Sequence, residues 1–383
     1  MSAIHAHDRL LILGGGATCF SFGTFWSSSY EIVPQDADGR PKWHLATSKA
    51  ADPIVAQSPK PQSSSYQPDT QNTPSNMLTK IPRARIQNAT DFEAIRRQAQ
   101  PVILEKLGIG RCTEHWTPDY LRDQVGADRK VVVHDSPTPH MNFQTKNFAY
   151  ATKTFGELMD AAQEGKHVYL RALSAEKPAD RATNLEDDFP TIASDFSIPP
   201  QLEYVRRNAH SSPLRVSGPV TMWLHYDVMA NVLCQIRGPK RLLLYPPTDV
   251  AHLSFGPGAS SSTINPFTAS PSEHHGLLLT HPYEAQLNPG DILFIPPLWL
   301  HAAEPTEGLS IAVNVFFRDD TTEAASAYAA GKDVYGNRDL AMYERGRRDI
   351  QRIGKSFEGL PEQVRAFYVG RLAAELQSMV VTL

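Results

Sequence analysis

Three side chains stand out for the chemistry they could do together. His225 and Asp227 lie two residues apart in the run Val220–Asp227, and His301 follows much later, after Pro296-Pro297-Leu298-Trp299. In an extended strand residues i and i+2 share a face, so His225 and Asp227 point one way and Tyr226 the other. A second imidazole from another strand then gives two nitrogens and one carboxylate on one face. That is the donor set of the facial triad of non-haem Fe(II) oxygenases, and it leaves three coordination positions open. A bidentate 2-oxo acid fills two of them and O2 the third. The same donors accept Mn(II), Co(II), Ni(II) and Zn(II). An HxD pair is a weak signal by itself in a chain with 14 histidines. Its weight comes from the setting, because both pieces fall on predicted strands of an all-β segment.

Other polar residues could serve the same site. Lys240 starts a predicted strand after the Gly238-Pro239 turn. A buried ammonium needs a carboxylate partner, and the distal carboxylate of 2-oxoglutarate would provide one. Asn231 and Asn314 interrupt apolar strands and must find hydrogen bonds there, which makes them candidates to orient a co-substrate. Tyr169, on the predicted strand His167–Arg171, could donate its hydroxyl to the same carboxylate. Taken singly, a lysine after a turn is more often exposed and a strand tyrosine more often part of a core. His274, His275 and His281 sit in or beside a Ser/Pro-rich stretch and are expected to face solvent.

The elements that must position these residues follow from the pattern. From Pro219 to Arg318 short apolar runs alternate with turn signals, with no helix between them. The expected strands are 220–227, 231–237, 241–245, 284–287, 291–295, 299–303 and 309–317. Such a series argues for a sandwich or jelly roll. Upstream, Thr90-Asp91-Phe92-Glu93 and Thr154-Phe155-Gly156-Glu157 read as capping boxes. Thr117 followed by Pro118 reads as an N-cap with proline at the first helical position. Pro101–Leu104, Val131–His134 and His167–Arg171 read as strands. Residues 256–276, rich in Ser, Gly and Pro, read as a mobile loop over one end. Val364, Phe367, Tyr368, Leu372, Leu376 and Met379 recur at helical period and must pack on the body or on a second copy. The expected class is mainly β with flanking helices (α+β): a double-stranded β-helix with a helical C-terminal extension.

Composition excludes several alternatives. A net charge of −4 over 383 residues gives no global basic field for non-specific nucleic-acid binding. Local basic groups remain at Arg206-Arg207 and at Arg345, Arg347, Arg348 and Arg352, where a solvated helix face is the commoner meaning. The three cysteines, Cys19, Cys112 and Cys234, form no CxxC pair, so a reducing, cytoplasmic setting is expected, with the nucleus as second choice. No apolar run is long enough to cross a membrane. Gly14-Gly15-Gly16 follows an apolar run but lacks the Lys and helix of a phosphate loop. Residues 28–79 are dense in Ser, Pro, Gln and Asn and are expected to be a partly disordered linker.

The stretches HYDVMANVLCQIRGPKRLLLYPP, NPGDILFIPPLWLHAAEP and SIAVNVFFR resemble the JmjC/cupin-like 2-oxoglutarate oxygenases of the asparaginyl-hydroxylase type. The resemblance covers roughly residues 82–320. It implies that His225, Asp227 and His301 bind Fe(II) and that Lys240 pairs with 2-oxoglutarate, assisted by Tyr169, with Asn231 and Asn314 in register. The family often has Thr three residues before the first His. Here that position is Met222, with Thr221 beside it as the substitute.

A narrower resemblance comes from LLILGGGATCFSFGTFWS, which looks like the end of the kelch region in the family of fungal tRNA wybutosine-synthesizing proteins 4, or leucine carboxyl methyltransferases 2. There a methyltransferase domain and a kelch propeller precede the JmjC-like domain. The family implies methylation and methoxycarbonylation of a modified guanosine beside the anticodon of tRNA-Phe. The expected organisation is therefore a kelch-like strand remnant (1–27), a linker (28–79), a JmjC/cupin-like domain (80–320) and a helical extension (321–383). The chain is then a fragment or a stand-alone relative, and methyltransferase activity is not carried onto it. Three functions stay open: an Fe(II)/2-oxoglutarate oxygenase domain serving wybutosine synthesis on tRNA-Phe, a protein Asn/Asp/His hydroxylase, and a binding module that dimerises through its helical tail.

Overall fold

The computed structural model describes residues 78–174, 176, 180–318 and 341–381. The readings of 1–27 as a strand remnant and of 28–79 as linker lie outside them, except at the linker's end, where Thr79 already belongs to a strand. Within them the strands, in chain order, are β1 (Thr79–Lys80), β2 (Arg83–Ala84), β3 (Val102–Leu104), β4 (Lys130–Asp135), β5 (Ala149–Thr154), β6 (Val168–Leu170), β7 (Ala209–Ser211), β8 (Leu214–Ser217), β9 (Met222–His225), β10 (Ala230–Arg237), β11 (Lys240–Tyr245), β12 (Tyr283–Leu287), β13 (Ile292–Ile295), β14 (Leu300–Pro305) and β15 (Ser310–Phe317).

They form two sheets. The smaller runs β1-β12-β11-β14-β9, and the larger β2-β3-β13-β10-β15-β8-β6-β4-β5, with β7 also paired to β15. From β9 to β15 successive strands alternate between the sheets, except that β11 and β12 pair within the smaller one, as in a double-stranded β-helix.

Period-2 alternation sorts the side chains. On β10, Val232, Cys234 and Ile236 join Val313, Val315 and Phe317 of β15 in a core that also holds Phe92, Trp116, Leu121, Phe155 and Leu158. Those five come from the helical N-terminal half, so helices cover the outer face of the larger sheet. Leu233 and Ala312 point the other way, into the space between the sheets, where they meet Leu242, Leu244, Ala285 and Leu293. Each fully buried Leu, Ile or Phe contributes roughly 1.5–3 kcal/mol, which makes this alternation the main determinant of register.

The helix over 89–97 starts two residues earlier than the Thr90 capping box predicts. Its N-cap is Asn88, whose side chain accepts from Thr90 N and Asp91 N, while Asp91 accepts from the Asn88 N–H. The expected caps at Thr117 and Thr154 are present.

Asp195 ties the helical layer together. It is buried and accepts from Tyr120 OH (2.6 Å), Arg111 Nη2 (3.0 Å) and Trp116 Nε1 (3.3 Å). Its carbonyl accepts from Cys112 N at 2.9 Å. That approach requires Gly110, at φ +93°, because a Cβ there would lie 2.2 Å from the Asp195 carbonyl oxygen. Asp195→Ala strands the buried Trp116 Nε1–H, at about 1–3 kcal/mol, and leaves the half-buried Tyr120 hydroxyl without its acceptor. Thermal unfolding is expected to fall by roughly 5–10 °C, and by clearly less in Asp195→Asn, which keeps an acceptor. Equal losses would mean that charge, not acceptance, matters there.

Cys112 and Cys234 are buried free thiols. No helix among the described residues is long and apolar enough to cross a membrane. The C-terminal helices cover 341–356 and 362–381. Of the expected apolar stripe, Leu372 is half-buried and Val364, Phe367, Tyr368, Leu376 and Met379 are exposed.

Candidate metal centre and co-substrate cavity

The three candidate ligands converge. His225 and His301 are directly opposed on the antiparallel pair β9–β14, with ring centroids 4.3 Å apart. Asp227 Oδ2 lies 3.6 Å from His301 Nε2 and 3.9 Å from His225 Nε2. One ligand atom from each falls within 4.8 Å of the others, the only such set of three His, Cys, Asp or Glu among the described residues. The strand is shorter than expected: β9 ends at His225, so Asp227 is not held by the ladder. Its carbonyl instead accepts from Leu298 N at 2.8 Å, and the preceding Tyr226 N donates to Ser260 O at 3.2 Å. Backbone bonds to two loops thus replace the expected strand geometry.

Both imidazoles are oriented the same way. His225 Nδ1 donates to Trp223 O and His301 Nδ1 to Trp299 O, each at 2.9 Å. A carbonyl can only accept, so the proton sits on Nδ1 and the Nε2 lone pair faces Asp227. Burial lowers the His301 pKa to about 4, reinforced by His225 and opposed by Asp227. It is neutral at pH 7, as a metal-binding imidazole must be. The donor set fits a divalent ion that prefers nitrogen and oxygen.

These side chains open into a cavity of about 550 Å³ between the sheets. Lys240, Asn231, Asn314 and Tyr169 line it as well. Lys240 is buried, its pKa lowered to about 8 by desolvation and then by Arg215, and no ion pair joins it to a carboxylate among the described residues. Asn231 Oδ1 is buried without a hydrogen-bond partner. A buried cation with no carboxylate partner among the described residues, beside three convergent ligands, suits a small anionic ligand.

Thr221 is not brought to the cavity. Its hydroxyl donates to Glu304 Oε2 at 3.3 Å, on the outer face of the smaller sheet, and Met222 lines the cavity instead. Counted by twos from His225, position 221 would face the cavity, but a register shift sets three steps of β9 against two of β14 between His225 and Met222, and this exchanges the faces of 221 and 222. His275 and His281 are exposed, as expected, whereas His274 is half-buried. His281 also donates its backbone N–H to Asp249. The loop 256–276 contributes Ser260 and Ser261 to the lining.

Sequence reasoning missed Trp223, Arg215, Arg171 and His134, which also line the cavity. Trp223 was findable, since it sits two residues before His225. His134 is the register partner of Tyr169 across β4–β6, a pairing the sequence does not spell out. Burial lowers the His134 pKa to about 4, aided by Arg171, Lys146 and Arg215. The unfolded chain therefore binds the proton first as pH falls. The stability is complete above about pH 6.5 and is lost progressively down to about pH 4, by up to about 3 kcal/mol. Urea titrations at pH 7 and pH 4.5 are expected to show this loss in the wild type and a smaller one in His134→Phe. Identical losses would assign the acid sensitivity to other groups.

Residues 88–323 match the model of the family described as "Cupin-like domain". The chain belongs to the cupin-like family. It is 52% identical over 374 residues to tRNA wybutosine-synthesizing protein 4 of Aspergillus oryzae, covering 96% of this chain and 36% of that relative. It is 50% identical over 390 residues to the protein of the same name from Neurospora crassa, covering 96% of this chain and 32% of that one. It is also 34% identical over 292 residues to human tRNA wybutosine-synthesizing protein 5, covering 73% of this chain and 89% of that relative. This cupin-like chain thus spans about a third of the length of the fungal relatives and nearly all of the human one.

Proposed function

We propose that the chain is an Fe(II)/2-oxoglutarate oxygenase domain that acts on tRNA-Phe in wybutosine biosynthesis. The observation that carries the reading is the His225–Asp227–His301 cluster at one end of a cavity that also holds buried Lys240, in a chain whose relatives bear wybutosine-synthesizing names. His225 Nε2, an Asp227 oxygen and His301 Nε2 would hold the iron. When bound, iron with 2-oxoglutarate supplies oxidative chemistry: O2 and the 2-oxo acid become succinate and CO2 while one oxygen atom enters a substrate C–H bond.

The chain's own residues set the conditions for that chemistry. The Trp223 and Trp299 carbonyls fix both imidazoles in the tautomer that presents Nε2. Lys240 meets the distal carboxylate of the co-substrate, and Tyr169, Asn231 and Asn314 offer hydrogen bonds around it. Leu233, Leu242 and Ile295 line the same cavity with apolar surface that excludes water. We assign the exposed stripe of the C-terminal helix to a second copy of the chain, and the cytoplasm as the compartment.

The test is 2-oxoglutarate consumption by the iron-loaded chain, with and without tRNA-Phe from cells blocked late in the pathway. Stimulation by that tRNA and not by mature tRNA-Phe is expected. Equal turnover with both, or stimulation only by an asparaginyl peptide, would contradict the reading.

A further inference from the structure

On the far side of the triad the cavity is walled by aromatic rings. Trp223 lies 6.2 Å from the His225 ring and stacks on Phe148 at 5.7 Å and 9°. Phe143 tilts over Trp223 at 5.1 Å. His134 stacks on the other rings at 4.6 Å from Phe148 and 5.9 Å from Tyr169. Tyr150 meets Phe148 edge-on at 5.7 Å. The wall reaches solvent, because Phe143 is 41% exposed and Tyr150 48%. Behind these open rings, Phe148 is buried with Met141 and Val220 in a small core against which Trp223 and Tyr169 pack.

Cations sit over the faces of the rings. Lys146 Nζ lies 3.2 Å from the Phe143 centroid, the Arg171 guanidinium 4.5 Å from that of Tyr150, and Arg215 5.9 Å from that of Tyr169. The carboxylates lining the cavity are Asp227, already given to the metal, and Glu344 of the C-terminal helix. An aromatic wall can receive a cationic ligand or a planar neutral one. Three cations beside the rings repel the first. They favour a flat π-system attached to anions, which describes a nucleotide.

We propose that Trp223, Phe143 and Tyr150 form a stacking receptacle for one planar base extruded from a single-stranded RNA loop, with Lys146 and Arg171 swinging off the ring faces they now cover to meet its flanking phosphates. This rests on the tRNA reading above and names the surface that would carry it. A base paired or stacked within RNA cannot bring an atom to a buried metal, so it must be splayed out and held. The receptacle adjoins His225 and ends at solvent, so a base held there points its substituent toward the triad and its backbone outward. Aromatic stacking tolerates any base, so selectivity would come from reach to the triad.

The experiment measures anisotropy of a fluorescein-labelled RNA stem-loop with one purine in its loop, titrated with the whole chain. A second probe carries an abasic residue at that purine. Phe143→Ala/Tyr150→Ala is expected to weaken binding of the purine probe roughly 5- to 100-fold. Its effect on the abasic probe is expected to be negligible. Lys146→Ala/Arg171→Ala is expected to weaken both probes alike and to reduce the slope of log affinity against log salt by about one to two. The visible absorption of the Fe(II)/2-oxoglutarate complex, recorded for each variant, reports whether the co-substrate end is intact. Binding that ignores both the aromatic pair and the abasic site would overturn the receptacle and leave the tRNA reading standing. No binding of either probe to the wild type at low salt would overturn both.

Discussion

Asp227→Ala is expected to lower Fe(II) affinity by more than a hundredfold while leaving the fold intact. Asp227 is the only carboxylate in the cluster, so its loss leaves two imidazole ligands and removes the single negative charge opposing the cation. Changes to groups that merely orient a ligand cost about 10- to 100-fold in metal affinity, and loss of the ligand itself exceeds that. The metal-free protein is expected to respond differently. Asp227 is buried, and burial holds its neighbour His301 neutral. Removing an uncompensated buried charge is often neutral or stabilising. Calorimetry of the metal-free variant is therefore expected to show an unchanged or slightly raised Tm, and equilibrium dialysis the metal loss. A collapse of Tm would mark Asp227 as a structural residue. Undiminished metal binding would remove it from the centre.

Lys240→Met is expected to weaken 2-oxoglutarate binding about ten- to a hundredfold, the worth of a hydrogen bond to a charged group. The site favours the substitution in every other respect. Met matches the stem of Lys, and Leu242 and Ile295 line the same cavity. The buried ammonium has no carboxylate partner among the described residues, so the ligand-free variant is expected to be at least as stable as the wild type. The pH dependence gives a second readout. With a free pKa of about 8, Lys240 is charged below that value. Wild-type affinity is expected to be flat below pH 8 and to fall by up to about tenfold per unit above it, whereas Lys240→Met shows no such arm. Isothermal titration of metal-loaded protein across this range checks both. A parallel decline in the variant would assign the arm to another group.

Much of this centre was legible because short-range rules govern it. His225, Lys240, Asn231, Asn314 and His301 sit on strands whose alternation of apolar residues is written in the sequence, and one face of each strand must enter the space between the sheets. Asp227 was found on an incomplete argument: it shares the face of His225, yet loop hydrogen bonds hold it, not a ladder. Thr221 and Met222 show the limit of a pattern with period two, since the register shift on β9 between Met222 and His225 breaks the alternation and puts Met222 in the cavity. The aromatic and cationic wall was not legible. His134, Arg171 and Arg215 reach the cavity only because β4, β6 and β8 extend the larger sheet in that order, and partner choice among strands is a tertiary fact. Ala149–Thr154 went unread because this edge strand is mostly exposed and carries little apolar signal. The C-terminal helix had a clear apolar period, but that period says nothing of what covers it.

The most direct measurement is an anaerobic titration of the metal-free chain with Fe(II) and then 2-oxoglutarate, followed by visible absorption. A charge-transfer band is expected that saturates at one equivalent of each and is absent from folded His301→Ala. A folded wild type that gives no band, or a His301→Ala variant that keeps it, would contradict an iron and 2-oxoglutarate site at His225, Asp227 and His301.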